Sequence, residues 1–100
     1  SDQKRVIKFE NIEIDLNKQI ISKKNNEYKI NNTEKKILEK MINNPGKTFS
    51  REDIGFLIEL DKERSIDVII TRLRKKIEID PKNPKFLQTI RGAGYVLWIE

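Results

Sequence analysis

Hydrophobic and polar residues alternate along residues 5–9 and 11–16 of the chain. A period of two is typical of a strand that buries one face and exposes the other. The pattern predicts two strands, over residues 5–9 and 11–16. The apolar members of this alternation are Ile7, Phe9, Ile12, Ile14 and Leu16.

A turn-rich segment, KKNN at residues 23–26, separates two further strand-like runs at residues 19–22 and 27–30. Asn25 and Asn26 tolerate the positive φ that a tight hairpin turn requires. The N-terminal third is therefore predicted to form a small antiparallel sheet.

Helical spacing replaces the alternation after residue 30. Asn31 and Glu34 match a capping box, in which the Asn side chain accepts from a free helix N–H and the Glu side chain reaches back. The sequence Asn44-Pro45-Gly46 ends this first helix. Its predicted apolar face comprises Ile37, Leu38, Met41 and Ile42.

A second helix is predicted over residues 51–60, after a short extended connection at residues 48–49. Ser50 and Asp53 repeat the capping pattern at its start. Asp61-Lys62-Glu63 follows the helix as a polar loop. The face predicted to be buried comprises Ile54, Leu57 and Ile58.

Residues 64–78, RSIDVIITRLRKKIE, carry the strongest helical pattern. At about 100° per residue, one narrow stripe is apolar and the opposite side is basic. The stripe comprises Ile66, Ile70, Leu73 and Ile77. The opposite side comprises Arg64, Val68, Thr71, Arg72 and Lys75, with Arg74 and Lys76 on the flanks.

Two strand-like runs, residues 86–90 and 95–99, end the chain, and Arg91-Gly92-Ala93-Gly94 joins them. The glycines permit a sharp hairpin. A basic hairpin that directly follows a basic helix is the arrangement of a winged helix, and the two preceding helices favour a helix-turn-helix variant. The predicted fold class is therefore α+β, a winged helix-turn-helix over residues 6–100. Residues 1–5 are expected to be a linker remnant or a cut end of a larger protein.

The positive charge of the chain is concentrated in residues 64–91. This segment holds eight Lys or Arg residues against three acids, a surplus equal to the whole formal net charge of +5. A basic charge this localised indicates a polyanionic partner.

The composition also excludes several functions. With no cysteine and no histidine, the chain cannot form a disulfide, a zinc site of the usual ligands, or a Ser-His or Cys-His pair. We therefore expect no enzyme, no metal and no cofactor. No apolar run approaches the about 20 residues that span a bilayer, so no membrane partner is expected. The absence of cysteine fits the reducing cytoplasm.

Four motifs in order resemble those of the OmpR/PhoB family of response-regulator DNA-binding domains. They are I-N-x-x-E at residues 30–34, N-P-G-K-x-x-S-R-E at residues 44–52, R-S-I-D-V-x-I-x-R-L-R-K-K-I at residues 64–77, and Q-T-I-R-G-A-G-Y at residues 88–95. The resemblance covers nearly the whole chain after Arg5. Departures from the family's common residues are Lys35, Ile69 and Thr71.

The resemblance implies a four-stranded N-terminal antiparallel sheet, three helices and a C-terminal β-hairpin wing. It implies that the third helix enters the major groove of double-stranded DNA and that the wing reaches the adjacent minor groove. The family also implies an N-terminal receiver domain in the intact protein, binding to direct repeats, and a contact of the loop Asp61, Lys62 and Glu63 with RNA polymerase.

The DNA-binding residues predicted from the pattern and the resemblance together are Arg64, Val68, Thr71, Arg72, Arg74, Lys75, Thr89 and Arg91. Arg72 can donate two hydrogen bonds to guanine, and Val68 can meet a thymine methyl group. Arg91, beside a glycine turn, can enter a narrow minor groove. Asp67 is expected to complement the helix dipole or pair with an arginine, and Ile69 to flank the core.

Two other classes of function remain open at the level of sequence. A winged helix can be a protein–protein interaction module, in which case the same basic surface would bind an acidic partner. An RNA-binding domain is less favoured because no row of exposed aromatic residues on a sheet is evident.

Overall fold

The computed structural model describes residues 5–58 and 65–99. Its elements confirm the predicted architecture of a four-stranded sheet, three helices and a C-terminal hairpin. They are, in order, β1 (Val6–Phe9), β2 (Ile12–Asp15), β3 (Ile20–Lys23), β4 (Asn26–Lys29), α1 (Asn32–Ile42), β5 (Thr48–Phe49), α2 (Arg51–Ile58), α3 (Ile66–Ile77), β6 (Leu87–Ile90) and β7 (Gly94–Leu97).

The N-terminal sheet is antiparallel in the order β1-β2-β3-β4. The inward positions of β1 and β2 are those of the predicted alternation, and Ile14 and Ile21 at the centre of the sheet are fully buried. The β3–β4 turn lies one residue earlier than predicted. Lys24 and Asn25 adopt positive φ, whereas Asn26 pairs with Lys23 inside the ladder. A two-residue loop of this kind matches the twist of the flanking strands.

Both capping signals form as predicted. Asn31 and Glu34 make the reciprocal hydrogen bonds of a capping box at the start of α1. The backbone N–H and side chain of Ser50 make the same exchange with Asp53 at the start of α2. The burial of α2 is weaker than predicted: only Ile54 is buried, and Leu57 and Ile58 remain partly exposed.

Helix α3 begins after Ser65, whose side chain accepts from the Asp67 N–H, and ends at Glu78. The four stripe residues are all buried, as the pattern predicts. Ile69 is also buried, at 3% exposure, which confirms its expected place at the flank of the core. The helix therefore buries five residues and directs its remaining positions to the surface or to neighbouring elements.

The predicted wing forms, but it belongs to a second sheet with a third strand that was not predicted. Strands β6 and β7 form the hairpin, and β5 pairs with β7 on the other edge, giving the order β5-β7-β6. The short connection at Thr48-Phe49 is thus a strand that joins the wing to the start of α2. Phe86 and Tyr95 are buried under the wing, as expected.

Two charged residues, Lys23 and Glu78, are buried where α3 ends. The Lys23 ammonium donates to the carbonyl oxygens of Lys75 (2.9 Å) and Glu78 (2.6 Å), which lie at the C-terminus of α3. Burial, with the neighbouring Lys24, lowers the pKa of Lys23, and Glu78 opposes this shift. The lysine thus connects the N-terminal sheet to the last turn of α3.

None of the helices within residues 5–58 and 65–99 is long and apolar enough to cross a membrane.

Candidate nucleic-acid interface

Four predicted residues share the outward face of α3. Val68 is 47% exposed, and Thr71, Arg72 and Lys75 are exposed along the same side, at helical intervals of three or four. The Thr71 hydroxyl donates to the Asp67 carbonyl at 2.8 Å, and its oxygen can still accept a hydrogen bond. The face combines one apolar residue with cations, a composition suited to base edges and phosphates.

Arg72 and Arg74, two residues apart, have different environments. Arg72 is exposed, and no acid within residues 5–58 and 65–99 pairs with it. Arg74 is partly buried and turned toward the wing, where its Nε donates to the Leu87 carbonyl at 2.8 Å. A second nitrogen of Arg74 donates to the Thr89 hydroxyl at 2.7 Å. Arg72 is therefore available to a ligand, whereas Arg74 already joins α3 to β6 through its hydrogen bonds.

Lys76 lies on the side of α3 that faces α1. Its ammonium pairs with Glu34 Oε1 at 2.8 Å, and Glu34 is almost fully buried. Lys76 therefore joins α3 to the capping box of α1, whereas Lys75 remains exposed.

The start of α3 carries an acidic residue with two partners. Asp67 Oδ2 forms an ion pair with Arg51 of α2, which confirms the expected pairing of Asp67 with an arginine. Its other oxygen accepts from the Tyr95 hydroxyl on β7. Local patterns could not identify Arg51 or Tyr95 as these partners, because both contacts join residues distant in the chain.

Arg91 lies at the tip of the wing. The Ala93 N–H donates to the Ile90 carbonyl at 2.9 Å and closes the turn, and Gly92 adopts a φ of +80° within it. Arg91 is exposed in this turn. Predicted DNA-binding residues therefore lie on two separate elements, α3 and the wing, which Arg74 and Thr89 join.

Four predicted functional residues lie outside the described part of the chain. They are Arg64, predicted to bind DNA, and Asp61, Lys62 and Glu63, predicted to contact RNA polymerase.

The two sheets, the three helices and the exposed basic face of α3 define a winged helix-turn-helix domain. The chain belongs to the family described as transcriptional regulatory protein, C terminal, whose model matches residues 25–97. Among curated relatives, the probable transcriptional regulator ycf27 of Guillardia theta is 41% identical over 97 residues, which cover 91% of this chain and 38% of that protein. The chain thus spans well under half the length of this relative.

Solved structures of regulators share the fold. Response regulator DrrB, an OmpR/PhoB homologue of Thermotoga maritima, superimposes with a TM-score of 0.74 at 31% identity, over 95% of this chain and 45% of that chain. The DNA-binding domain of response regulator AdeR, in complex with an intercistronic region, has a TM-score of 0.69 at 28% identity, over 94% of this chain and 100% of that chain. The resemblance to OmpR/PhoB-type effector domains is confirmed. These relatives favour a DNA-binding regulator over the protein-interaction module considered as its alternative.

Proposed function

We propose that this domain binds double-stranded DNA sequence-specifically, with α3 in the major groove and the wing tip in the adjacent minor groove. The observation that carries the proposal is the outward face of α3, where Val68, Thr71, Arg72 and Lys75 are exposed together. An α-helix fits the major groove of B-form DNA, in which each base pair presents a distinct pattern of donors, acceptors and methyl groups.

The residues of this face divide into two roles. Arg72 reads a base, because its planar guanidinium matches the O6 and N7 acceptors of guanine and no acid in the described chain competes for it. Val68 contacts a thymine methyl group beside it. Lys75 contacts a phosphate, since an ammonium on a flexible stem recognises charge and carries no base preference. Thr71 lies between them and contacts the backbone or a base edge.

The wing supplies the second set of contacts. Arg91 enters the minor groove and responds to its width and potential. Thr89 and Arg74 reach the DNA backbone from the junction of helix and wing, where they already bind each other. Arg64, which precedes α3 in the sequence, binds a further phosphate.

In the intact protein, a receiver domain precedes this module and the protein acts in the cytoplasm as a two-component response regulator. Two copies bind direct repeats, and the loop Asp61, Lys62 and Glu63 contacts RNA polymerase. These proposals follow the family, whose members carry this domain as one part of a longer chain.

Salt dependence tests the phosphate contacts. If about five phosphates are neutralised, the logarithm of the association constant falls against the logarithm of salt concentration with a slope near −4.5, because each neutralised phosphate releases about 0.9 of a counterion. Fluorescence anisotropy with a labelled duplex measures this slope. Lys75→Gln is expected to bring the slope closer to zero by about 0.9.

Lys29→Gln, an exposed lysine on β4 in the N-terminal sheet, is the matched control and is expected to leave the slope unchanged. A slope near zero for the unmodified domain would reject the phosphate contacts. Equal effects of the two substitutions would show that the charge acts through the whole molecule and not through the face of α3.

A further inference from the structure

One acidic side chain, Asp67, lies in the first turn of α3, the helix that carries the exposed basic face and is proposed as the recognition helix. Asp67 is the only acid within α3, and its side chain is 51% exposed. A carboxylate placed near DNA repels the phosphates and weakens binding. Asp67 is nevertheless engaged through both of its oxygens, one with Arg51 and the other with Tyr95. The contacts therefore indicate a role that outweighs the electrostatic cost.

These contacts continue into the wing. The Tyr95 ring is buried near the start of β7, and the Arg74 guanidinium lies 5.8 Å from its centroid. Arg74 in turn donates to Leu87 and Thr89 on β6. One continuous set of side chains thus joins the start of α2, two turns of α3 and both strands of the wing.

The region around this set is otherwise open. A cleft of about 680 Å³ lies between the start of α2 and the turn of the wing. Its lining includes Ser50, Arg51, Asp67, Thr89, Gly92 and Tyr95. The β5–β7 ladder fixes the base of the wing. The contact of Asp67 with Tyr95 and those of Arg74 with Leu87 and Thr89 connect α3 itself to the wing.

We propose that Asp67 and Tyr95 are positioning residues that hold the recognition helix and the wing at the separation at which both reach one DNA duplex. The proposal rests on the proposed function, since it assigns these residues a role in DNA recognition without contact to DNA. Holding the two elements in the binding geometry before encounter reduces the conformational entropy that binding must remove.

The direction in which Asp67→Ala changes DNA affinity distinguishes the positioning role from a purely electrostatic effect. Asp67→Ala removes a negative charge from the DNA-facing surface, so charge alone predicts tighter binding. Positioning predicts the opposite, a loss of about tenfold in affinity for the preferred sequence, since one lost contact to a charged group changes an equilibrium by roughly this factor. Anisotropy titrations with the preferred duplex and with an unrelated duplex measure both affinities.

Glu52→Ala is the matched control, because Glu52 is exposed in the first turn of α2 and lines the same cleft. It removes the same charge without removing the contacts of Asp67, and we expect unchanged or slightly tighter binding. If Asp67→Ala behaves as Glu52→Ala does, the positioning role is overturned.

A second experiment uses a variant that changes no charge. Tyr95→Phe removes only the hydroxyl that binds Asp67 and keeps the ring in the core, and thermal melting checks that it folds. If the wing is positioned through this contact, Arg91→Ala costs less affinity in the Tyr95→Phe domain than in the unmodified domain. Additive losses would mean that the wing contacts DNA independently of Tyr95, and would overturn the proposal.

The unmodified domain distinguishes failure of the positioning role from failure of the function. If it shows no preference between the two duplexes, the proposed function fails and the positioning role fails with it. If it shows a preference that Asp67→Ala and Tyr95→Phe leave intact, only the positioning role is overturned.

Discussion

Glu78→Ala is expected to lower the free energy of unfolding by about 3 to 4 kcal/mol. The Glu78 carboxylate is 1% exposed and accepts from the backbone N–H groups of three successive residues, Lys85 (2.7 Å), Phe86 (3.0 Å) and Leu87 (2.7 Å). Alanine leaves the two buried donors, the Phe86 and Leu87 N–H groups, without this partner at the start of β6, and each unsatisfied buried group costs about 1 to 3 kcal/mol. Because a domain of this size is stable by only about 5 to 15 kcal/mol, the loss is large.

Urea denaturation and thermal melting measure this loss. The melting temperature is expected to fall by roughly 12 to 32 °C, given a shift of about 4 to 8 °C per kcal/mol in a domain of this length. Glu27→Ala, which removes an exposed carboxylate on β4, is the control and is expected to change stability by no more than about 0.5 kcal/mol. A Glu78→Ala domain as stable as the control would show that the carboxylate does not hold the loop before the wing.

Gly94→Ala is expected to cost about 3 kcal/mol or more, and to disorganise the wing. Gly94 begins β7 with a φ of +144°, a conformation that L side chains rarely adopt. A Cβ atom there would lie 2.0 Å from the Phe49 carbonyl oxygen and 2.8 Å from the Ser50 Cα. The strand must then move away from β5, and backbone strain adds to the overpacking.

Gly92→Ala is the matched control for this prediction. Gly92 also has a positive φ, +80°, but a Cβ atom there meets nothing within 4 Å. It is expected to cost only the backbone strain, about 1 to 2 kcal/mol. Thermal melting compares the two variants, and equal losses would show that strain, and not the approach of β5 to β7, decides the requirement for Gly94.

The elements that the sequence predicted correctly are those encoded by local patterns. The Asn31–Glu34 and Ser50–Asp53 caps form because each pair lies three residues apart, which a capping box requires. The stripe of α3 is buried because its spacing matches the helical period, and the wing forms because two strand-like runs flank a glycine-rich turn. In each case the relevant partners are close in the chain.

The features that were missed depend on residues far apart in the chain. The pairing of β5 with β7 joins residue 49 to residue 95, and a two-residue strand has no alternation to reveal it. No local pattern indicated the burial of Lys23 or Glu78, because charged residues are rarely buried without partners and these partners are backbone groups of other elements. The predicted position of the β3–β4 turn was wrong by one residue, because the four polar residues 23–26 permit two registers of the hairpin.

The same contrast between local patterns and distant contacts holds for the candidate DNA-binding site. The helical period placed Val68, Thr71, Arg72 and Lys75 on one exposed face. It could not show that Arg74 and Lys76, on the flanks, turn to the wing and to α1, because that outcome depends on where Thr89 and Glu34 lie in the fold.

Selection of bound duplexes from a random pool shows whether α3 reads DNA sequence through Arg72, when it is carried out with three domains: unmodified, Arg72→Ala and Arg72→Lys. We expect one enriched motif, relaxed at a single base pair in Arg72→Ala, where the lost discrimination amounts to about 1 to 3 kcal/mol. Arg72→Lys keeps the charge but loses the planar fork, so it should relax the same position while retaining affinity for phosphates. Salt-sensitive binding that enriches no motif would show that the domain does not recognise a DNA sequence. A motif unchanged by both substitutions would show that Arg72 does not read a base.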